Sequence, residues 1–405
     1  MGRLFFIVLV NLGAYLVLRQ LWPSLREGWR RQAFLGLSGL SVAAIVLPRV
    51  LGTGPHGVLP VVGLPLKLFS SGWVIATGLV LLLGWPLALP RRRGPARAGG
   101  VPVLDQGRQG PSLVAAPEVD MERRSLLVGV GRALPLFAAG ASSAGIVAGS
   151  SGFELREVEV RLRGLPRALD GFRIGQITDV HVGAFIDVEY LRATVEAMNK
   201  ARVDLQVMTG DLIDDVTQLD GTMAALEACQ APHGMLAILG NHEHWRGLRH
   251  IRDAYAASAR RGSPVRLLVD ESHVLEHAGQ RVRVVGVDYP MGRGVGAKAE
   301  RMRRSAELAF RGTSPEEVVL CLTHHPDFFP LASERGARLT LAGHTHGGQV
   351  ALLGMPLFRF AFEFMLGRYR RGDGQLYVSG GTGHWLPFRL GVPAEVTILT
   401  LRAES

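Results

Sequence analysis

The hydrophobic pattern of the chain changes near residue 150. Before that point, three apolar runs at residues 4–21, 33–51 and 68–89 are each close to the about 20 residues that a helix needs to cross a bilayer. They have almost no polar face, so we expect three transmembrane helices rather than the buried helices of a soluble domain. A fourth run, at residues 133–149, is rich in Gly, Ala and Ser. It is either a further span or a signal-like anchor.

From residue 155 onward, short apolar runs alternate with amphipathic segments of helical length. This alternation predicts an α/β fold. The strands are predicted at residues 157–162, 173–178, 205–209, 235–239, 282–287, 318–323, 339–342, 375–379 and 395–401. The helices are predicted at residues 188–201, 219–228, 248–260 and 297–310.

The charge distribution separates the same two parts. Residues 1–150 hold 15 Lys and Arg against 5 Asp and Glu, and residues 151–405 hold 30 of each, so the first part carries the whole net charge of +10. Basic residues that bracket apolar runs are typical of membrane flanks. The balanced second part disfavours nucleic acid as a partner, because duplex binding requires clustered cations. Two cysteines, Cys229 and Cys321, are too few for a disulfide framework.

The cations also predict a membrane orientation. Residues 90–125 are rich in Pro, Gly and Arg, which indicates a disordered basic connector with seven arginines. The first loop has four arginines and the second only two cations, so the first and third loops are expected in the cytoplasm. If the fourth run crosses, everything after it lies outside the cytoplasm; if it does not, the second part is cytoplasmic. We expect it to cross, since the pair Arg123-Arg124 is a basic flank and also resembles a twin-arginine export signal.

Polar motifs follow five of the predicted strands, and 12 of the 13 histidines lie in this second part. Open α/β sheets keep their chemistry at the carboxyl ends of their strands. Each motif alone also occurs in ordinary turns, but their ordered recurrence indicates one shared site. The motifs are Asp179-Val180-His181, Gly210-Asp211-Leu212-Ile213-Asp214, Gly240-Asn241-His242-Glu243, His324-His325-Pro326-Asp327 and Gly343-His344-Thr345-His346.

The residue types in these motifs favour a pair of metal ions. Asp, His and Asn donors without a thiolate suit Mn, Fe or Zn. Two divalent ions about 3.5–4 Å apart need a shared carboxylate, and Asp211 is the natural bridge. Such a pair makes a bridging hydroxide available near neutral pH and holds phosphoryl oxygens during an in-line displacement.

The ordered set DxH, GDxxD, GNHE, H and GHxH resembles the calcineurin-like metallophosphoesterase family over about residues 165–402. The segments LTHHPD and LAGHTHGGQ, and the closing PFRLGVPAEVTILTL, resemble its membrane-associated bacterial branch of predicted phosphohydrolases. The resemblance implies a four-layer αββα sandwich with a dimetal site at the strand ends. The expected domains are a three-helix transmembrane region at residues 1–89, a basic linker at 90–125, a fourth span or anchor at 126–150 and a phosphoesterase domain at 155–405.

The resemblance also implies a role for each motif residue. The first ion would be held by Asp179, His181, Asp211 and His346. The second ion would share Asp211 and add Asn241, His324 and His344. By the same resemblance, His242 would contact the phosphate or protonate the leaving oxygen, and Asp214 would orient its imidazole. His325 is the less favoured member of its pair.

Several neighbouring residues carry weaker expectations. Glu243 completes the GNHE motif, although a glutamate that opens a helix is often only a favourable first-turn charge. The pairs His244-Trp245 and His384-Trp385 either line a substrate pocket or pack. Arg389 either faces substrate phosphate or is solvated, as arginines usually are.

These expectations together predict a membrane-anchored dimetal phosphohydrolase of phosphate mono- or diesters, with lipid-linked substrates as one option. One alternative is a pyrophosphatase of nucleotide-activated lipid precursors, of the UDP-diacylglucosamine type. Another is a non-catalytic membrane binding module, which the intact ligand set disfavours. The expected location is the bacterial cytoplasmic membrane, with several spans and the catalytic domain outside the cytoplasm.

Overall fold

The computed structural model describes residues 2–50, 60–88, 121–292, 294–352, 355–357, 359–360 and 362–404. The chain divides into two compact units. The first comprises Met1–Gly52 and Pro65–Ser143, and the second comprises Thr53–Leu64 and Ala144–Ser405. Most of the predicted connector, residues 90–120, lies outside the described residues, whereas its last residues begin a helix.

The amino-terminal part is helical. Its helices are α1 (Gly2–Leu21), α2 (Trp29–Val50), α3 (Pro60–Ala88) and α4 (Met121–Gly149). Among the described residues, one helical segment, Gly63–Pro86, is both long and apolar enough to cross a membrane. Phe5–Leu21 and Ala133–Gly149 are apolar but shorter. The structure therefore supports one span by length and composition.

Polar side chains connect the helices of the first unit. Asn11 of α1 accepts hydrogen bonds through Oδ1 from Ser38 Oγ of α2 at 2.9 Å and from Trp73 Nε1 of α3 at 2.7 Å. The hydroxyls of Ser41 and Ser70 lie 3.1 Å apart and join α2 to α3 again. Interhelical hydrogen bonds of this kind hold helices together where apolar burial cannot, as in a lipid environment.

The second unit contains two six-stranded sheets. The first sheet has the strand order β1-β14-β2-β3-β4-β5, and the second has the order β12-β13-β9-β8-β7-β6. A short hairpin, β10 with β11, lies apart from both. The strands are β1 (Glu154–Arg163), β2 (Arg173–Ile177), β3 (Leu205–Thr209), β4 (Met235–Ile238), β5 (Val265–Leu267), β6 (Glu271–His277), β7 (Gln280–Gly286), β8 (Val318–Leu322), β9 (Leu339–Ala342), β10 (Ala351–Leu352), β11 (Met355–Pro356), β12 (Gly367–Arg371), β13 (Gly374–Val378) and β14 (Glu395–Glu404).

Helices cover the outer faces of both sheets. The first sheet is covered by α5 (Val188–Lys200), α6 (Leu219–Glu227) and α8 (Leu248–Arg260), and the second by α9 (Val295–Ala309) and α10 (Phe329–Glu334). Between the sheets lies a core built from both, which includes Ile174 and Leu205 of the first and Val284 and Leu320 of the second. The four-layer αββα prediction is confirmed.

The elements that the prediction missed are short or lie at the edges of the sheets. The nine predicted strands and four predicted helices correspond to observed elements within a few residues. The missed strands are short or lie at sheet edges, where β6 is mostly half-buried, β12 is mostly exposed, and both show little apolar alternation. The missed helices, α7 (Asn241–Arg246) and α10, have 6 residues each, too few for a helical hydrophobic period to be recognised.

Parallel pairing brings the predicted motifs to one edge. β2, β3 and β4 are parallel neighbours in the first sheet, as are β7, β8 and β9 in the second. Two side chains connect the sheets at this edge: Gln176 Nε2 donates to the carbonyl of Ala342 at 3.2 Å, and His324 Nδ1 lies 2.8 Å from the carbonyl oxygen of Thr209. The carboxyl ends of both strand sets therefore form one rim.

Candidate metal centre

One group of predicted ligands surrounds Asp179. His346 Nε2 lies 3.4 Å and His181 Nε2 lies 4.0 Å from Asp179 Oδ1. The two imidazole nitrogens are 3.1 Å apart, and His181 Nε2 is 3.8 Å from Asp211 Oδ2. All four residues are buried. Their donor atoms therefore converge within a space that suits one ion.

A second group converges on the same oxygen of Asp211. His324 Nε2 lies 3.1 Å from Asp211 Oδ2, and His344 Nδ1 lies 3.2 Å from His324 Nε2. Asn241 is buried, and its Oδ1 has no hydrogen-bond partner among the described residues. A buried amide oxygen without a donor is costly, so a cation is a fitting partner for it. The donor set in these two groups fits two divalent ions.

Histidine ionisation is consistent with this fit. Burial holds the pKa of His344 and His346 well below the usual value, so both imidazoles are neutral and have a free lone pair. Burial alone would also lower the pKa of His324, but Asp211 and Asp179 outweigh it and raise that pKa to about 9. An ion bound beside His324 must displace this proton, so metal affinity is expected to decrease as the pH is lowered.

The backbone at this rim is unusual. Nine non-glycine residues have positive φ in the described part of the chain, and five of them are predicted ligands. The left-handed region is unfavourable for residues with a Cβ and is found where function requires it. Here it turns each side chain inward from the end of its strand. The five ligands are Asp179, His181, Asp211, His344 and His346, with φ between 49° and 75°.

Glycines permit the close approach of neighbouring motifs. A Cβ on Gly240 would lie 2.2 Å from Asp211 Oδ1, and one on Gly343 would lie 2.2 Å from Asp179 Oδ2. These distances leave no room for any side chain. In these two motifs, the glycine that precedes the predicted ligand is thus required by packing against a carboxylate of another motif.

Glu243 has a larger role than the sequence predicted. It is buried, and its carboxylate accepts hydrogen bonds from four backbone N–H groups. The donors are the N–H groups of Gly240 at 2.6 Å, Leu212 at 2.7 Å, Asp211 at 2.9 Å and Ile213 at 3.2 Å. A first-turn charge alone does not describe it, because it joins the loops after β3 and β4. Glu243 therefore fixes the backbone that carries Asp211.

The imidazole of His242 lies between Asp214 and Asp211, and one of its ring nitrogens is hydrogen-bonded. Its Nδ1 contacts Asp214 Oδ1, and its Nε2 lies 3.9 Å from Asp211 Oδ2. Burial would raise the pKa of Asp214, but the imidazoles of His181 and His242 outweigh burial and hold it well below its usual value. The carboxylate of Asp214 therefore fixes the orientation of the His242 ring, and Nε2 faces the centre. Trp245 covers this ring, with centroids 4.9 Å apart.

The two imidazoles of the pair His324-His325 have different contacts. His324 contacts Asp211, whereas His325 Nδ1 accepts a hydrogen bond from its own turn, the N–H of Asp327, at 3.3 Å. The His325 ring packs on His344 with centroids 4.7 Å apart. This geometry favours His324 as the ligand.

Arg389 is neither solvated nor available to a phosphate. Its side chain is 1% exposed and donates to five backbone carbonyls. The acceptors are Gly380, Gly381, Gly383, Val392 and Pro393. Both sequence expectations for it are therefore wrong. Its hydrogen bonds shape the loop after β13, and Gly383 N of this loop donates to the carbonyl of Asp179 at 3.0 Å.

The other residues singled out in the sequence lie near the rim in different ways. His244 Nε2 is 2.8 Å from Asp288 Oδ1, which is a structural contact. His384 is buried and makes no hydrogen bond to any residue that the structure describes. Trp245 and Trp385 are 58% and 45% exposed, and Trp245, which packs on His242, provides apolar surface beside the centre.

The comparison with known proteins agrees with this geometry. Residues 172–348 match the family model for calcineurin-like phosphoesterases. This segment is a calcineurin-like metallophosphoesterase domain. The second unit thus contains a phosphoester hydrolase domain.

The relatives carry the same family name. The metallophosphoesterase YkuE of Bacillus subtilis (strain 168) is 29% identical over 306 residues, which cover 70% of this chain and 99% of that protein. A transmembrane protein with metallophosphoesterase domain from Danio rerio is 26% identical over 61% of this chain and 56% of its own length. The chain thus spans less than two thirds of this second relative. A dimetal phosphatase from Danio rerio has a solved structure with a TM-score of 0.33 and 16% identity, which covers 52% of this chain and 88% of that one.

The role of Glu243 can be tested with Glu243→Gln. The amide removes the charge and turns an NH₂ group toward backbone donors, so we expect a loss of about 1–3 kcal/mol in unfolding free energy and weaker metal retention. Denaturant unfolding and elemental analysis measure both. Glu300→Gln is the matched control, because Glu300 is an exposed residue of α9. Equal stability and metal content in the two variants would contradict the role given to Glu243.

Proposed function

We propose that the centre holds two divalent ions that share one carboxylate, as the sequence predicted. The first ion is assigned to Asp179, His181, Asp211 and His346, and the second to Asp211, Asn241, His324 and His344. The position of Asp211 Oδ2 carries this proposal, because it lies 3.8 Å from His181 Nε2 in one group and 3.1 Å from His324 Nε2 in the other. Mn, Fe and Zn all suit this donor set.

We propose that the chain cleaves phosphate mono- or diesters at this centre. When bound, the ions supply Lewis-acid activation of water and neutralise charge on the phosphoryl group. The protein supplies the remaining groups. His242 Nε2 faces the centre, where it is placed to contact a phosphoryl oxygen or to protonate the leaving oxygen. Asp214 holds the His242 ring in that orientation.

Lipid-linked phosphoesters are the substrate class that we propose within this function. Support for a substrate presented at a membrane comes from exposed Trp245 beside the centre, from exposed Trp385 and from an apolar helix that includes Gly63–Pro86. Cleavage of a pyrophosphate in a nucleotide-activated lipid precursor would use the same ions and differ only in the leaving group. A purely binding role is disfavoured, since it gives no reason for so many converging ligands.

We also propose an anchor in the bacterial cytoplasmic membrane with more than one span. The partly buried hydrogen bonds of Asn11 with Ser38 and Trp73 support helices that associate within lipid. The arginine distribution supports a catalytic domain outside the cytoplasm.

The shared carboxylate is tested by Asp211→Asn. The change is nearly isosteric but removes the charge that both ions share, so we expect no detectable hydrolysis and reduced bound metal in a folded protein. Elemental analysis with an assay panel of phosphate mono- and diesters decides the matter. Asp220→Asn, at an exposed position of α6, is the control and should keep both properties. Full metal content and activity in Asp211→Asn would exclude the shared role.

The division between ligand and proton donor is tested by two histidine variants. We expect His242→Asn to retain metal and lower turnover by roughly 10²–10⁴, the scale for a positioned general acid or base. His344→Asn is expected to lose metal. The two assignments are wrong if both variants have the same metal content.

The orientation is tested with alkaline phosphatase fused after residue 110 or after residue 405. This reporter is active only outside the cytoplasm, so we expect an inactive first fusion and an active second fusion. Immunoblots confirm that both fusions accumulate. A stable but inactive second fusion would place the catalytic domain, and its substrates, in the cytoplasm.

A further inference from the structure

One strand end at the rim contributes none of the predicted site residues. β7 pairs in parallel with β8, so its carboxyl end opens beside the motif that contains His324. The N–H of Val287, just after β7, continues this alignment by donating to the carbonyl of Leu322 at 3.1 Å. The chain then reaches Tyr289 at the rim itself.

The ring of Tyr289 packs against the imidazoles on the side of the proposed second ion. Its centroid lies 5.6 Å from that of His344, and 5.9 Å from those of both His324 and His325. The residue is only 7% exposed. Tyr289 therefore forms part of the wall of the centre.

The position of Tyr289 is fixed by a polar network behind it. Its N–H donates to Asp288 Oδ1 at 2.9 Å. Asp288 is held in turn by His244 at 2.8 Å and by Arg301 at 2.9 Å, and Arg301 also binds Asp270 at 3.2 Å. Several buried or half-buried charges thus keep this turn in one conformation, which is what a group that recognises a ligand requires.

The hydroxyl of Tyr289 has no hydrogen bond to any described residue. Two other tyrosines of the second unit are paired: Tyr190 donates to the carbonyl of Thr382 at 2.7 Å, and Tyr377 to Glu395 at 2.9 Å. A phenol keeps its proton near neutral pH. The Tyr289 hydroxyl is a donor without an acceptor, next to a centre that attracts phosphoryl oxygens.

We propose that the Tyr289 hydroxyl donates a hydrogen bond to a phosphoryl oxygen of the bound substrate. The proposal rests on the function given above, because it requires a phosphoryl group beside the second ion. A phosphoryl group has more oxygens than two ions engage, and a neutral phenol can bind one without adding charge. A role in packing alone would be served equally by phenylalanine.

Binding of inorganic phosphate tests this contact without depending on the natural substrate. Titration calorimetry is carried out on the full chain in detergent, loaded with Mn. We expect Tyr289→Phe to keep its metal and to bind phosphate about 10- to 100-fold more weakly, the scale of one hydrogen bond to a charged group. Tyr255→Phe is the matched control. Tyr255 is also buried and without a hydrogen bond to any described residue, but it lies in the core between α8 and the first sheet.

Each outcome has a distinct meaning. A metal-loaded wild-type protein that neither binds phosphate nor hydrolyses phosphoesters would overturn the proposed function, and this inference with it. If the wild type binds phosphate and Tyr289→Phe binds it equally well, the inference alone is overturned. Loss of metal in Tyr289→Phe would also overturn it, because the hydroxyl would then act on the centre and not on the substrate. Weaker phosphate binding with full metal content, unmatched by Tyr255→Phe, supports it.

Discussion

The site depends on the placement of one carboxylate, that of Asp211, between two groups of imidazoles. Removing this charge from water costs on the order of several kcal/mol, and the cost is met only if the surroundings are fixed and oppositely charged. Glu243 fixes the backbone through four N–H groups, although it adds a further buried carboxyl group. The buried carboxyl groups of Asp179, Asp211 and Glu243 and the surrounding imidazoles would form a stable arrangement with the proposed divalent cations between them.

The strained backbone at the rim also results from bringing the proposed ligands together. The proposed ligands lie in sharp turns just after successive strands, and five of them have left-handed φ values there. Each such residue costs about 1–3 kcal/mol. The two sheets offset this cost through a shared apolar core, and a parallel register places all the turns at one edge. The four layers therefore serve as a rigid frame for a locally unfavourable rim.

The sequence predicted the parts of this frame that depend on local patterns. Buried strands are continuous apolar runs, and the carboxyl ends of parallel strands meet at one edge of a sheet. The motifs containing Asp179 and Asp211 could therefore be assigned to one site from the sequence alone. Arg389 and Glu243 were misjudged because their partners are backbone groups, which no side-chain pattern reveals. Edge strands such as β6 were missed because they have few fully buried positions and therefore little apolar alternation.

The end of β7 shows a further limit of motif-based reasoning. Metal ligands are recognisable because their chemistry restricts them to a few residue types, whereas a group that contacts substrate needs only a donor at the correct position. Tyr289 has no such signature, and only its place beside His344 and its unpaired hydroxyl mark it. Ligand motifs thus indicate the reaction class, whereas the substrate contact proposed for Tyr289 can be inferred only from the position of the residue in the fold.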